Sequence, residues 1–208
     1  MAEGLPRIDV FAEDYAHEQF IRAMLIRLSR AQGMRIDIRT ISAQGGHGRV
    51  LAELRLYRAS LARGFVDRQP DGIIIASDSN CSPYSTTRGK LADAAGPELL
   101  SRAVIACPNP HVERWYMADP PSFSEVVGKQ PRLGKRKCDR DRYKAILSKV
   151  VSDAGHPPTL GGIEFGPDIV SAMDLYRAGK NEGSLKHFVD QADGLLRRLS
   201  GHGHEVHT

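Results

Sequence analysis

Asp71-Gly72-Ile73-Ile74-Ile75-Ala76-Ser77-Asp78-Ser79-Asn80 is the stretch that decides the fold. It opens on an Asp-Gly turn signal and continues as a β-branched apolar run, the pattern of a strand covered on both faces. It ends on an acidic residue inside a polar loop. Two other apolar runs end in the same way: Arg7–Ala12 leads into Glu13, and Ala103–Cys107 is followed shortly by Glu113. As parallel neighbours in one α/β sheet, these strands would gather Glu13, Asp78 and Glu113 at its carboxyl edge, where open α/β sheets place their ligands.

The segments between these runs supply the helices. Phe20, Met24, Leu25 and Leu28 recur at helical spacing after the first run, and Val50, Leu54, Tyr57 and Leu61 do so later. Arg35–Ile41 alternates charged and apolar residues at its start, so its faces differ and it belongs near a sheet edge. Gln44–Arg49 reads as a glycine-rich loop. Arg88–Ala95 reads as a helix capped by Thr86 or Thr87, and Pro108-Asn109-Pro110 ends the fourth strand by removing backbone donors. A short helix then carries Glu113, Trp115, Tyr116 and Met117. The first 120 residues thus read β-α-β-α-β-α-β-α, a rhythm that favours a mainly parallel sheet. Residues 121–200 read as a helical extension packed on it, with helices around Asp141–Ala154, Pro167–Ala178 and Ser184–Leu199. The end, 201–208, reads as a frayed tail.

Composition narrows the class. At 208 residues, with 41% hydrophobic and 26% charged side chains, the chain has enough apolar material for a substantial core. No run approaches the length of a membrane span, and Met-Ala-Glu-Gly-Leu-Pro lacks the pattern of a signal peptide, so the expectation is a cytoplasmic protein without membrane contact. Cys81, Cys107 and Cys138 match neither a disulfide framework nor a zinc pair and are expected as reduced thiols. The net charge of +4 is mild evidence for an anionic partner.

Val10–Phe20 resembles the Toprim signature: a strand ending in Glu, a tight turn, then a helix with an early acidic residue. Asp71–Asn80 resembles the strand and D-x-D element of that superfamily. Pro108–Tyr116 is similar to the N-P-x-x-E-x-W segment of small Toprim-like families related to the RloB and OLD-type nucleases of bacterial defence loci, and Thr159–Asp174 with the closing helix resembles the C-terminal half of such a family. Two positions depart from the pattern: Asp14 stands where a glycine is usual, and Asn80 where the second acid of D-x-D belongs. The resemblance implies a Toprim-like parallel sheet flanked by helices. It implies Glu13, Asp78 and Glu113 as catalytic metal ligands, Asn80 as an auxiliary one, and Mg²⁺ or Mn²⁺ as the ion. It further implies a nuclease acting on DNA or RNA beside an ATPase partner in antiviral defence. The alternatives are a non-catalytic regulatory or assembly subunit, favoured by Asn80, and a phosphate-ligand sensor.

The residue types suit that chemistry. Mg²⁺ takes oxygen ligands and keeps several waters, so one or two carboxylates plus substrate phosphate hold it. Converging carboxylates without a cation repel and raise one another's pKa. Candidate phosphate contacts are Arg49 at the end of the glycine-rich loop, Arg88 at a helix start, and Lys135, Arg136 and Lys137 within the basic stretch Arg132–Lys144, which would bind by counterion release. A solvated linker and surface ion pairs are the competing readings. Trp115 and Tyr116 read first as core residues and second as base-stacking platforms.

Overall fold

The computed structural model describes residues 4–42, 47–66, 68–135, 138–139 and 141–202. Four strands, β1 (Arg7–Ala12), β2 (Asp37–Ser42), β3 (Gly72–Ala76) and β4 (Ala103–Ala106), form one sheet in the order β2-β1-β3-β4. Every pairing is parallel, with Val10 opposite Thr40 on one side and Ile74 on the other. The alternating strand is at the edge and the continuously apolar β3 is inside, as their patterns predict. The chain leaves β1 for one neighbour and returns to the other, so the crevice between the ends of β1 and β3 is a topological switch point.

Side chains leave a strand alternately to its two faces, and the core divides accordingly. Ile8, Val10, Ala12, Ile74, Ala76, Val104 and Ala106 pack with α1 (Tyr15–Ala31) and the C-terminal helices. Phe11, Ile73, Ile75, Ile105 and Cys107 pack with α2 (His47–Ala62) and α3 (Tyr84–Leu100). The result is a helix–sheet–helix sandwich in which each buried Ile, Leu or Phe contributes about 1.5–3 kcal/mol. Asp9 lies on the α2 face and is fully buried, but Arg7 Nε donates to it at 2.9 Å and Tyr57 closes it off with a hydroxyl bond.

The extension after β4 comprises α4 (Glu113–Tyr116), α5 (Pro120–Val127), α6 (Arg142–Asp153), α7 (Gly166–Ala172), α8 (Leu175–Asn181) and α9 (Gly183–His202). Phe123, Tyr143, Leu147, Ile169, Phe188 and Leu196 from these helices join the same apolar cluster as β1 and α1. Helix α9 crosses the start of β3 so closely that a Cβ on Gly72 would sit 2.9 Å from Leu195 Cδ2. Among the described residues, no helix is long and apolar enough to cross a membrane.

Several local expectations need correction. The helix expected over Pro167–Ala178 breaks at Met173, because Asp174 caps a new helix by accepting from Arg177 N at 2.9 Å. Tyr176 therefore leaves the core and is 71% exposed. Helix α3 begins at Tyr84, before either expected threonine cap, and Thr87 is buried with its hydroxyl turned to Ser79 O. Arg49 lies inside α2 and not in a loop, while Gln44, Gly45 and Gly46 fall outside the described residues. Finally, Cys81 and Cys138 form a disulfide with Cα atoms 5.5 Å apart, so two of the three expected thiols are oxidised. Cys107 alone remains a free thiol; burial, then the charges of Asp78 and Glu13, push its pKa up to about 12.

Candidate active site

The backbone brings the strand ends together before any side chain is considered. Glu13 N donates to Ala76 O at 3.0 Å and so extends the β1–β3 ladder one residue past β1. Beyond β3, Ser77 N donates to Ala106 O and Ser79 N to Pro108 O, which straps this exit segment along the segment leaving β4. Asp78 thereby faces His111, and Glu13 faces the start of the Asp78 loop. Glu13 Oε2 accepts from Ser77 Oγ at 2.6 Å and from Asp78 N at 3.0 Å.

A cavity of about 190 Å³ opens at this edge, lined by Glu13, Asp14, Asp78, Asn80, His111, Glu113, Asp141, Tyr143 and Lys144. All four expected metal-site residues line it, from positions separated by as much as a hundred residues. Glu113 is 2% exposed, and its Oε1 has no hydrogen-bond partner among the described residues. Burial, and then the charge of Asp78, raise its pKa above the usual carboxylate range.

Two histidines join the acids into a hydrogen-bonded chain. Asp14 Oδ1 lies 2.8 Å from His17 Nδ1, His17 Nε2 lies 3.0 Å from Asp78 Oδ1, and Asp78 Oδ2 lies 3.0 Å from His111 Nδ1. With a carboxylate at each nitrogen, His17 is a double donor and carries charge. Burial opposes that charge, but Asp78 and Asp14 outweigh it and hold the pKa well above the ordinary imidazole value. The same contacts lower both acids: at Asp78 the charge of His17 overcomes burial, and at Asp14 the hydrogen bond from His17 does. The bond to Asp78 raises His111, whose Nε2 is buried and has no partner among the described residues. The available signal was Asp14-x-x-His17, a helix cap and the residue one turn on, which share a face.

His17 gives a pH prediction whose sign follows from these directions. A raised imidazole pKa adds stability that is complete below the unfolded value, about 6.5, and is lost as pH rises through the folded value. The depressed carboxylates add stability present above about 4 and lost as pH falls through their folded values. His17→Gln is therefore expected to flatten the alkaline decline in stability, measured as urea midpoints between about pH 5 and 10. Equal slopes for the two proteins would remove the imidazolium from the account.

The other predicted contacts are dispersed. Arg49 is exposed on α2, on the opposite side of the sheet from α1, and pairs with Glu53 at 3.8 Å. Arg88 and Lys135 do not line the cavity. Arg136 and Lys137 lie outside the described residues. Lys144, at the end of the same basic stretch, is the cation that does line it. Trp115 and Tyr116 are fully buried: Trp115 stacks on Phe188 at 5.5 Å and donates to Ser184 Oγ, and Tyr116 donates to Ala16 O.

Among the described residues, no three His, Cys, Asp or Glu side chains are gathered closely enough to hold a metal as they stand. Both oxygens of Asp78 are engaged by imidazoles, and one oxygen of Glu13 by Ser77 and the backbone. Charge still favours a cation. Among the described residues, five carboxylates line the cavity, against Lys144, His111 and the His17 imidazolium behind it.

Fold and site together define an α/β protein with a parallel four-stranded sheet and an acidic cavity opening at its carboxyl edge. No family model, curated protein or solved structure matches the chain.

Proposed function

We propose that the acidic cavity binds a divalent cation and hydrolyses phosphodiester bonds of DNA or RNA. One observation carries this reading: Glu13, Asp78, Asn80 and Glu113, from three strand exits, line one cavity in which a buried carboxylate oxygen of Glu113 has no partner among the described residues. Leaving such a group unpaired costs about 1–3 kcal/mol, more when it is charged, and a cation would remove that cost. At roughly 30 Å³ per water, the 190 Å³ cavity has space for an ion that keeps several waters. Glu113, Glu13 and Asn80 would hold it, with Asp78 beside them accepting from both imidazoles. The ion, Mg²⁺ or Mn²⁺, would polarise a phosphoryl oxygen and acidify a bound water.

The remaining residues have roles that follow from their contacts. Asp78 orients His111 through Nδ1 and favours its protonated form, which leaves Nε2 to give a proton to the leaving oxygen. His17 keeps Asp78 ionised by supplying the compensating charge from behind. Lys144 offers an ammonium to a bound phosphate. The ATPase partner, the defence setting and the cytoplasmic location rest on the resemblance and the sequence reading alone.

A second reading has its own support. Asp78 is fully occupied by imidazoles and Asn80 brings no charge, which favours a non-catalytic assembly subunit that keeps the sheet edge as a structural feature. Purified protein incubated with single- and double-stranded DNA and RNA separates the two. Cleavage that requires Mn²⁺ or Mg²⁺ and stops with chelator is the expected result. Absence of both cleavage and Mn²⁺ binding would favour the subunit.

A further inference from the structure

The acidic cavity has two walls from distant parts of the chain. Asn80, on the loop leaving β3, lines one side, and Asp141, Tyr143 and Lys144, at the start of α6, line the other. The Cys81–Cys138 disulfide joins these two segments across 57 residues of sequence. Cys81 directly follows Asn80, and Cys138 lies three residues before Asp141. Among the described residues, the non-glycine positions with left-handed backbone are Asn80 (φ 45°), Cys81 (φ 69°) and Asp141 (φ 59°). All of them stand where the bridge meets the cavity. Such conformations are sparsely populated without glycine and persist where the surroundings enforce them.

Both cysteines are exposed, so a small or protein thiol reaches the bridge without unfolding the core. Helix α6 itself is anchored by Tyr143, Leu147 and Val151, all fully buried. The part that the bridge ties covalently to the β3 loop is the approach to α6, at Cys138. Exposed disulfides are the labile ones, and in a reducing compartment such bridges are transient and redox-sensing.

We propose that the Cys81–Cys138 bridge is a redox-operated clamp on the acidic cavity: oxidised, it holds the approach to α6, and with it Asp141, against Asn80; reduced, it frees that approach and weakens the site. The step balances as thiol–disulfide exchange. A dithiol reductant attacks one sulfur through its thiolate, the Cys81–Cys138 bond breaks, and the second reductant thiol completes the exchange. Two protons and two electrons end on Cys81 and Cys138, and the reductant leaves as a disulfide. The structural clamp stands on the placement of the bridge; its consequence for activity rests on the cation reading above.

The test uses the full chain in three forms: air-oxidised, dithiothreitol-reduced, and Cys81→Ser with Cys138→Ser without reductant. After denaturation, maleimide labelling should add one group to the oxidised protein and three to the reduced one. Limited trypsin digestion at Arg132 and Lys135 should be at least about tenfold faster in the reduced and the serine forms than in the oxidised form. Mn²⁺ affinity should be at least about fivefold weaker in the serine form than in the oxidised form. Three labels on oxidised protein, or equal digestion rates in all forms, would overturn the clamp. Mn²⁺ binding in neither form overturns the cation reading alone, because thiol count and digestion report on the clamp without metal.

Discussion

Glu13→Gln and Glu113→Gln are each expected to lower divalent-metal-dependent cleavage by roughly a hundredfold or more, since each removes a charge from the set that would hold the ion. The two should differ in stability. A glutamine at 13 retains an oxygen that accepts from Ser77 Oγ and Asp78 N, so its melting temperature should stay close to that of the wild type. A glutamine at 113 removes a buried carboxylate whose Oε1 has no partner among the described residues and whose ionisation burial opposes, so the variant should be as stable or more stable. Loss of activity with a gain in stability is the signature of a group kept for function. Asp78→Asn is less clean, because it also takes a charge from His17 and should lower the pH at which the imidazolium is lost. Thermal melts, Mn²⁺ titration and cleavage rates on the same preparations read all of these effects. Full cleavage by both glutamine variants would sink the assignment of the cavity.

Much of this geometry is legible in the residues because strand pattern reports environment. The unbroken Ile73-Ile74-Ile75 run has to be interior, and the charged alternation of Arg35–Ile41 suits the edge that β2 occupies. Once those strands are parallel, the acid following each of them must lie at one edge. Placement of the strand ends therefore needs no tertiary information. What the acids touch does need it. His17 and Asp78 are 61 positions apart, and a histidine one turn into a helix reads as an ordinary first-turn residue until β3 is seen beside it. The disulfide is hidden for a similar reason: three cysteines allow three pairings, and only the fold brings Cys81 to Cys138. The break before Asp174 did carry a local sign, an aspartate three residues before Arg177, but the continuous apolar spacing of Ile169, Met173 and Tyr176 pointed to a single helix. The density of positive charge in the basic stretch was visible, while its direction was not. Lys144 stays exposed and reaches the cavity rim because it follows the buried Tyr143, which also lines the cavity.

Arg114→Met is expected to destabilise the protein by about 3–5 kcal/mol, the cost of breaking a buried ion pair from one side. Arg114 donates through Nε and Nη2 to Glu182 Oε1, Nε at 2.7 Å, and both side chains are almost wholly buried. Its Nη1 also donates to the Tyr143 hydroxyl at 3.1 Å, and the guanidinium lies 4.9 Å from the centre of that ring. One side chain thus joins α4, which carries Glu113, to the wall formed by α6 and to the junction between α8 and α9. Methionine fills similar space but leaves the Glu182 carboxylate without its guanidinium, and for a chain of this size the melting temperature should drop by roughly 10 °C. The double change Arg114→Met with Glu182→Leu should recover most of the loss, because removing both charges removes the desolvation cost along with the attraction. Lysine at 114 should recover little, since its point charge lacks the planar fork that serves Glu182 and Tyr143 together. Urea denaturation of the single and double variants measures this directly. If the double variant is no more stable than Arg114→Met, the loss comes from packing at α4 and not from the broken guanidinium–carboxylate pair.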